Sequence, residues 1–413
     1  MSRFIVRDPK GLHMSSAAHS NSNQATWPLI ALAIGAFGIG TTEFGPMGML
    51  PAIANGVDVS IPTAGLLVSA YALGVMIGAP IMTLLLARRP RRQALIMLMA
   101  IFTLGNLLSA FAPGFNSLVG ARFITSLNHG AFFGVGSLVA ASLVPREKQA
   151  SAVAAMFLGL TIANIGGVPA AAWLGTTIGW RASFASISVL GVLAMLALRF
   201  ALPKGEKGQV PEVRAELRVL TRPNVLIAMM TTVLGAGAMF TLYTYINPTL
   251  EMLTHASPQF ITGMLVLVGI GFTIGNTLGG KLADRSLQGA LVLFLSLIAV
   301  SMLAFPFLAS SRIGVALALV VWGTATFAIV PPLQTWVMRE ATGAPGLASS
   351  VNVGAFNLGN AVGAALGGLV LRSGLGYQVV PVAGAGLAIL SLLLVLLQFR
   401  TVRRQMAISA QTC

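Results

Sequence analysis

Long apolar stretches recur along the chain and set the strongest limit on its fold. Twelve runs of mostly apolar residues follow one another, separated by polar segments. A helix needs ~20 apolar residues to cross the ~30 Å hydrocarbon layer of a bilayer. Lipid offers the backbone no hydrogen-bond partner, so each run must be helical. The predicted spans are residues 27–50, 62–86, 94–112, 117–143, 150–174, 183–201, 224–248, 259–282, 289–309, 312–338, 346–371 and 378–399. The sequence therefore predicts an all-α integral membrane protein with twelve transmembrane helices.

The composition excludes a water-soluble protein. Hydrophobic residues make up 56% of the 413 residues and charged residues only 8%, with a mean hydropathy of +0.87. Soluble domains carry roughly 25% charged residues. The net charge of +15 comes from short basic clusters between the apolar runs, which argues against nucleic acid as a partner. The single cysteine, Cys413, excludes an intrachain disulfide and a cysteine-based metal site.

The basic residues predict the orientation of the spans. With the N-terminus inside, the cytoplasmic segments collect 21 of the 25 Lys and Arg residues, that is, 25 minus Arg122, Arg181, Arg312 and Arg372. An excess of Lys and Arg marks cytoplasmic loops. We therefore expect a multi-pass protein of a bacterial inner membrane with both termini in the cytoplasm. The first apolar run lacks a small-residue cleavage site, so we expect a retained span rather than a signal peptide.

The spans fall into two halves of six. The longest hydrophilic break, Pro203–Arg222, lies between the sixth and seventh runs. The expected order is a polar cytoplasmic tail at 1–26, a six-helix bundle at 27–202, a cytoplasmic loop at 203–223, a second six-helix bundle at 224–400 and a cytoplasmic tail at 401–413.

Matching residues in the two halves indicate an internal duplication. Each pair is separated by 197 positions, as 271 − 74, 275 − 78, 285 − 88 and 376 − 179 show. The pairs are Gly74 and Gly271, Gly78 and Gly275, Arg88 and Arg285, and Gly179 and Gly376. Such repeats are typical of secondary transporters, which move a solute by rocking one half against the other.

One acidic residue lies inside a predicted membrane span, where an ionised side chain costs free energy. Nine of the ten acids fall in the tail or in loops, but Glu43 lies inside the first predicted span. An ionised carboxylate there costs about 2.5 to 3.5 kcal/mol, so desolvation favours the protonated form. We interpret Glu43 as a proton-coupling residue; the alternative is a structural glutamate satisfied by neighbouring helices.

A polar stripe in the fourth span offers partners for Glu43. Arg122, Thr125, Ser126 and His129 share one helix face. Arg122 is expected to pair with Glu43, and His129 to pass a proton or bind solute, unless it simply packs. Further candidates for a solute cavity are Asn128, Asn164, Phe240, Tyr243, Tyr245, Trp322 and Asn357. Helix packing or interfacial anchoring is the alternative for each.

No motif for a cofactor or an ATP-driven pump stands out. Gly275–Lys281 has the glycines and lysine of a phosphate loop, but Leu282 stands where Ser or Thr must bind Mg²⁺. Neither a paired-histidine metal motif nor a serine nucleophile elbow is present. We expect no cofactor, no metal and no enzymatic activity, with energy drawn from an ion gradient.

Several motifs resemble those of the major facilitator superfamily. Gly280–Arg285 is similar to its signature loop, glycine, three residues, aspartate, arginine, whereas the first-half copy has Thr83 and Ala87 at the glycine and aspartate positions. The resemblance implies gating roles for Arg88, Arg91, Arg92, Asp284 and Arg285. Leu118–Arg122 resembles the fourth-helix arginine motif implicated in proton transfer. Gly159–Pro169, with Gly166 and Gly167, resembles the fifth-helix motif of antiporters with one extra residue before the proline.

Four longer motifs are similar to the arabinose-efflux-permease branch of the drug:proton antiporters. They are Thr42–Gly45, Asn128–Gly136, Gly179–Arg181 and Phe356–Gly359. The resemblance implies export of a small molecule, a sugar or a drug such as chloramphenicol, in exchange for protons. A proton-coupled importer, and a non-transporting receptor or enzyme, are the alternatives. The expected partners are the solute, protons and the lipid bilayer, with the protein acting as a monomer.

Overall fold

Helices form nearly all of the part of the chain that the computed structural model describes, residues 17–59, 61–204 and 213–411. The first half contains span one (Ala17–Gly48), span two (Ile61–Leu86), span three (Arg91–Ala110), span four (Phe115–Ser142), span five (149–179) and span six (Trp180–Ala201). The second half contains span seven (Pro223–Tyr243), span eight (Pro258–Arg285), span nine (Leu287–Leu308), span ten (Arg312–Ala328 and Val330–Glu340), span eleven (Pro345–Arg372) and span twelve (Val379–Gln411).

Some helices extend beyond their predicted spans. Span one begins at Ala17, inside the predicted tail 1–26, and span twelve continues to Gln411. The predicted loop 203–223 contains the helix Val213–Leu220, and its residues 205–212 lie outside the described residues. The apolar pattern marks where lipid begins and ends, whereas a helix can continue into water because its backbone hydrogen bonds are internal.

Two predicted spans end in a break. The seventh run, 224–248, divides into span seven and a short helix, Ile246–Thr254. The first run, 27–50, ends in the short helix Leu50–Gly56. Pro51 lies in the first turn of that helix, where a proline needs no hydrogen-bond partner.

Spans five and six form one apolar helical stretch that folds back on itself. Eleven helical stretches of the described residues are long and apolar enough to cross a membrane, and one of them, Arg146–Ala201, has 56 residues. The chain reverses at Gly179, whose φ of 125° is essentially restricted to glycine. The Ser183 hydroxyl then donates to the Ala171 carbonyl at 2.8 Å, although a straight helix would separate these residues by ~18 Å. The stretch thus crosses twice, and the prediction of twelve spans is confirmed.

The predicted duplication is visible in the packing of matched glycines. A Cβ on Gly78 would collide with the backbone of Leu127 in span four, and one on Gly275 with the backbone of Thr324 in span ten. The two halves therefore repeat the close approach of their second and fourth helices. Gly376, the counterpart of Gly179, also has a positive φ, 81°. The fold is two pseudo-symmetric six-helix bundles.

The two halves meet tightly at one end of the molecule, which we call the basic end because it carries the loops with Arg88, Arg146 and Arg285. There the Thr83 hydroxyl donates to the Ser350 hydroxyl at 2.7 Å. The Asn276 amide donates to the Ala154 carbonyl at 2.6 Å. Each bond joins one half to the other, so the basic end is closed in this conformation.

Candidate functional site

A central cavity lies between the two bundles. Its polar lining residues are Glu43, His129, Asn164, Thr326, Asn357 and Asn360. Its aromatic lining residues are Phe44, Phe133, Phe157, Phe240, Tyr243, Phe272, Phe327 and Phe356. The free space between these side chains is about 80 Å³, room for several water molecules. A larger solute must therefore push side chains aside as it binds.

Glu43 is half-buried and its carboxyl group opens on the cavity. Glycines place it there, because Gly40 and Gly45 allow span one to lie close to span five. A Cβ on Gly40 would lie 2.6 Å from the Leu160 side chain, and one on Gly45 would lie 3.2 Å from the Ala171 Cβ. The polar groups described around it, Arg122, Thr42 and Asn106, form hydrogen bonds with one another and not with the Glu43 carboxyl group. The group is thus available to a proton or a solute.

Arg122 binds the residue next to Glu43 rather than Glu43 itself. Its guanidinium donates to the Thr42 hydroxyl at 3.0 Å and to the Thr42 carbonyl at 2.9 Å. Thr42 in turn donates to the Asn106 side chain at 2.6 Å. The predicted direct pair between Arg122 and Glu43 is absent from this conformation, because the fully buried guanidinium is already engaged by span one.

His129 connects the cavity to the same buried cluster. Its Nδ1 lies 3.2 Å from the Tyr71 hydroxyl, and the Arg122 guanidinium lies 4.3 Å from the centre of the Tyr71 ring. The predicted stripe of span four is buried as a whole, but its members differ in contacts. Thr125 and Ser126 donate to carbonyls of their own helix, which leaves His129 as the stripe residue on the cavity.

The second half contributes a cluster of aromatic rings opposite Glu43. The Tyr243 ring lies 5.8 Å from those of Phe240 and Phe272, and Phe272 stacks on Phe327 at 4.1 Å between centroids. These separations suit edge-to-face and stacked aromatic pairs. Phe240, Tyr243, Asn164 and Asn357 line this cavity, and contact with a solute stays a prediction for each.

Three predicted cavity residues lie elsewhere. Trp322 is fully buried behind Tyr243, at 6.3 Å between rings. Tyr245 donates to the Ala364 carbonyl at 2.9 Å in span eleven. Asn128 is fully buried and donates to the Thr125 carbonyl at 2.5 Å. In each case packing between helices, the alternative interpretation, describes the residue.

Sequence reasoning missed most of the aromatic lining. Phe272 and Phe327 carry no signal, because a phenylalanine does not stand out in a long and mostly apolar span. Phe44 and Phe133 could have been found: Phe44 follows Glu43, and Phe133 lies one turn after His129, on the same helix face.

The fifth-span glycine motif packs against the helix that carries Glu43. A Cβ on Gly159 would collide with the Ala33 carbonyl, and one on Gly167 with the Thr41 hydroxyl. Gly166 has open space around it, and Pro169 is exposed. The segment Ala163–Gly167 is a π-helical turn. Because a π-turn closes one residue later than an α-turn, it accommodates the extra residue before the proline.

Asp284 is the gating-loop residue that joins the two halves. Its two carboxylate oxygens accept the backbone N–H groups of Ala150 at 2.8 Å and Ser151 at 3.0 Å. These residues open span five, where a helix presents unsatisfied N–H groups and a partial positive charge. The carboxylate of one half thus caps a helix of the other.

The basic residues of the gating loops make weaker contacts than Asp284 does. Arg92 donates to the Leu202 carbonyl at 3.1 Å within its own half. The side chains of Arg88, Arg91 and Arg285 are exposed. Ala87 stands where the second half has Asp284, so the first half offers no equivalent carboxylate to span eleven. Within the described residues there is also no cluster of three metal-binding side chains.

Comparison with known proteins gives a consistent result. Residues 32–352 match the profile of the Major Facilitator Superfamily. The chain is 68% identical over 374 residues to the inner membrane transport protein YdhP of Escherichia coli K12, covering 91% of this chain and 96% of that one. It is 35% identical to a chloramphenicol resistance protein of Streptomyces lividans, with coverage of 91% and 96%.

A solved structure has the same architecture at low sequence identity. A fucose transporter of the superfamily, FucP, solved in the outward conformation, aligns with a TM-score of 0.73 at 14% identity, covering 91% of this chain and 98% of that one. The human organic anion transporter MFSD10 aligns with a TM-score of 0.72 at 14% identity, with coverage of 91% and 99%. These alignments concern the fold alone.

Proposed function

The chain belongs to the major facilitator superfamily of membrane transporters, and on that premise we propose that it exports a small molecule in exchange for protons. Orientation follows from the basic residues: the basic end faces the cytoplasm of a bacterial inner membrane, as an excess of Lys and Arg favours. Two relatives support the direction of transport. One is the chloramphenicol resistance protein, and another is a probable sugar efflux transporter of Haemophilus influenzae, 29% identical with coverage of 89% and 93%.

The position of Glu43 carries the proposal. Among the described residues that line the cavity it is the one acid, and the nearby Arg122 and Thr42 in the described part of the chain hydrogen-bond each other rather than its carboxyl oxygens. Ionisable residues inside membrane spans are costly and are kept for transport of ions and protons. Glu43 takes a proton from the outside when the cavity opens there and releases it to the cytoplasm.

Arg122 and His129 assist Glu43 from two sides. Arg122 holds the backbone and hydroxyl of Thr42, so it fixes the helix turn from which Glu43 projects. His129 lines the same cavity and contacts Tyr71, whose ring lies against Arg122. A change of charge at Glu43 therefore acts on three connected side chains, those of Arg122, Tyr71 and His129.

Mutually exclusive binding of the solute and the proton leads to the exchange of one for the other. If a solute and a proton bind to the same cavity in alternation, each cycle carries one in each direction, since each lowers the affinity for the other. The cavity opens to one side at a time by rocking of the two bundles. The Asp284 cap on span five holds the cytoplasmic side shut during the outward half of the cycle.

The direction of an imposed pH gradient tests the exchange. Purified protein is reconstituted into vesicles, and uptake of chloramphenicol and of arabinose is measured separately. An antiporter accumulates its solute when the vesicle interior is acidic, because protons leave as solute enters. Glu43→Gln should abolish this accumulation, while Glu251→Gln, which changes an exposed acid on the helix Ile246–Thr254, should leave it unchanged.

Two results would overturn the proposal. Accumulation only when the exterior is acidic would identify a proton-coupled importer. Equal accumulation by Glu43→Gln and wild type would remove this carboxyl group from the mechanism.

A further inference from the structure

The basic end holds a second cavity, which we call the basic pocket. It lies between the ends of spans two and four and the beginnings of spans three and eleven, and its free space is about 600 Å³. The charged residues among its described lining are Arg89, Arg91, Arg92 and Glu216. Three arginines against one glutamate leave positive charge in excess, so the pocket attracts anions.

The two halves of the molecule differ at this pocket. On the other side of the basic end, Asp284 caps span five through the N–H groups of Ala150 and Ser151. These are the second and third residues of the helix that begins at Gln149. Ala87 stands 197 positions before Asp284 (284 − 87 = 197) and lines the basic pocket. The first half therefore places a methyl group where the second half places a carboxylate.

The beginning of span eleven lacks the cap that span five has. The helix begins at Pro345, which has no N–H group, and its N-cap residue, Ala344, makes no side-chain cap. The N–H of Ala348 is already bonded to the Ala344 carbonyl at 3.0 Å. Gly346 and Leu347 precede that bond and line the pocket. Their N–H groups have no acceptor within the helix, and such groups at a helix N-terminus favour phosphate.

Three arginines accompany the missing carboxylate. The shift of 197 positions pairs Arg89, Arg91 and Arg92 with Ser286, Gln288 and Gly289. The half that has Asp284 thus has uncharged residues at these positions, and the half that lacks it has cations. The Nε of Arg92 is buried and has no hydrogen-bond partner among the described residues. Guanidinium groups bind phosphate oxygens through paired, charge-assisted hydrogen bonds.

We propose that the basic pocket binds a phosphate group, carried by an anionic lipid headgroup or present as inorganic phosphate, in place of the missing carboxylate. The phosphate oxygens accept hydrogen bonds from the N–H groups of Gly346 and Leu347 in the second half and from the arginines of the first half. The anion then joins the loop after span two to span eleven, as Asp284 joins span eight to span five. It stabilises the conformation in which the basic end is closed.

Two probes test the site and identify the source of the phosphate. Inorganic phosphate is titrated into delipidated full-length protein in a neutral detergent, with chloride at equal ionic strength as the reference, and binding is measured by calorimetry. Phosphatidylglycerol is compared with phosphatidylcholine in nanodiscs, and retained lipid is counted by native mass spectrometry. We expect saturable binding of at least one probe, and a higher midpoint of thermal unfolding when it is bound. Binding of phosphate alone identifies the free ion, and selective retention of phosphatidylglycerol identifies the lipid.

Variants of the pocket should change binding in both directions. Ala87→Asp supplies the missing carboxylate, so it should weaken probe binding at least about tenfold and raise the unfolding midpoint without a probe. Arg89→Gln/Arg91→Gln should weaken binding by a similar factor, because two attracting charges are removed. Glu216→Gln should tighten binding by up to about fivefold, because a repelling charge is removed.

A charge-matched control separates the pocket from the net charge of the protein. Lys281→Gln/Arg372→Gln removes two charges from exposed residues that do not line the pocket, and binding should stay as in wild type. Equal weakening by this control and by the arginine pair would overturn the assignment, as would the absence of binding above chloride and phosphatidylcholine. Wild-type affinity in Ala87→Asp or in Arg89→Gln/Arg91→Gln would also overturn it. Thermal unfolding shows which variants are folded, and either pocket variant alone suffices for the test.

Discussion

Arg122 shows how a buried charge can be stabilised without an ion pair. Its two terminal nitrogens bind Thr42, and its plane lies against the Tyr71 ring. A guanidinium suits such a site because it is planar, hydrogen-bonds in a fork and stacks on aromatic rings. A lysine has a point charge and cannot make both contacts, so Arg122 organises spans one, two and four around Glu43.

The Tyr71 hydroxyl provides a residue-scale test of the cluster. Tyr71→Phe removes the contact with His129 Nδ1 at 3.2 Å and keeps the ring under Arg122. This bond holds the His129 ring, which lines the cavity, so its net worth of about 0.5 to 1.5 kcal/mol sets the upper limit of the expected loss of solute affinity, roughly 2- to 10-fold. The measurement is the KM of the Tyr71→Phe variant and of the wild type for the solute that acidic-interior vesicles accumulate.

Tyr245→Phe is the matched control, since its hydroxyl bonds the Ala364 carbonyl away from the cavity. It should lower thermal stability and leave KM unchanged. If both substitutions changed KM alike, the hydroxyl of Tyr71 would have no specific part in the site.

Sequence reasoning located the polar side of the site better than its aromatic side. A glutamate or histidine inside an apolar run stands out because its burial is costly, and both Glu43 and His129 line the cavity. A phenylalanine in a membrane span is equally stable facing lipid, a neighbouring helix or a cavity. Only the fold distinguishes Phe272, on the cavity, from Phe307, which is 82% exposed on the outside.

At the scale of single elements, span five shows a feature that apolar periodicity cannot reveal. Its π-turns, Ala163–Gly167 and Gly175–Gly179, leave the run equally apolar throughout. The extra residue in the glycine-proline motif was the one indication of irregular geometry. The first turn places Asn164 on the cavity, consistent with the frequent occurrence of such turns at functional sites.

Span eight offers an element-scale prediction with a control on the same helix. A Cβ on Gly275 would collide with the backbone of Thr324, while one on Gly263 would meet nothing within 4 Å. Gly275→Ala should therefore separate spans eight and ten and cost about 1 to 3 kcal/mol. The midpoint of thermal unfolding in detergent should fall clearly for Gly275→Ala and little for Gly263→Ala. Equal midpoints would contradict the close helix approach.

At the scale of the whole molecule, the hydrogen bonds found between the halves in the described residues lie toward the basic end. The Asp284 cap, the Asn276 bond to Ala154 and the Thr83 bond to Ser350 all lie there. The number of spans and the duplication could be predicted from apolar runs and matched glycines. The resemblance implied a gating role for Asp284, but the partners that close this end could not be predicted, because they lie up to 267 positions apart and share no sequence pattern.

A reversible crosslink tests whether this end must open during transport. Thr83 and Ser350 lie on opposite halves with their hydroxyl oxygens 2.7 Å apart, close enough for a disulfide with sulfurs ~2.0 Å apart. With Cys413→Ala removing the native thiol, the double variant Thr83→Cys/Ser350→Cys should lose transport on oxidation, because the two bundles can no longer separate there. Transport in acidic-interior vesicles is measured before oxidation, after oxidation and after reduction.

The single variants distinguish locking from damage. Thr83→Cys and Ser350→Cys each lose the hydroxyl bond but cannot form the disulfide, so oxidation should leave their transport unchanged. The double variant should recover with a reductant, since the disulfide alone holds the halves together. Full transport by the crosslinked protein would mean that solute crosses while the basic end stays shut, which is incompatible with alternate opening of one cavity to the two sides of the membrane.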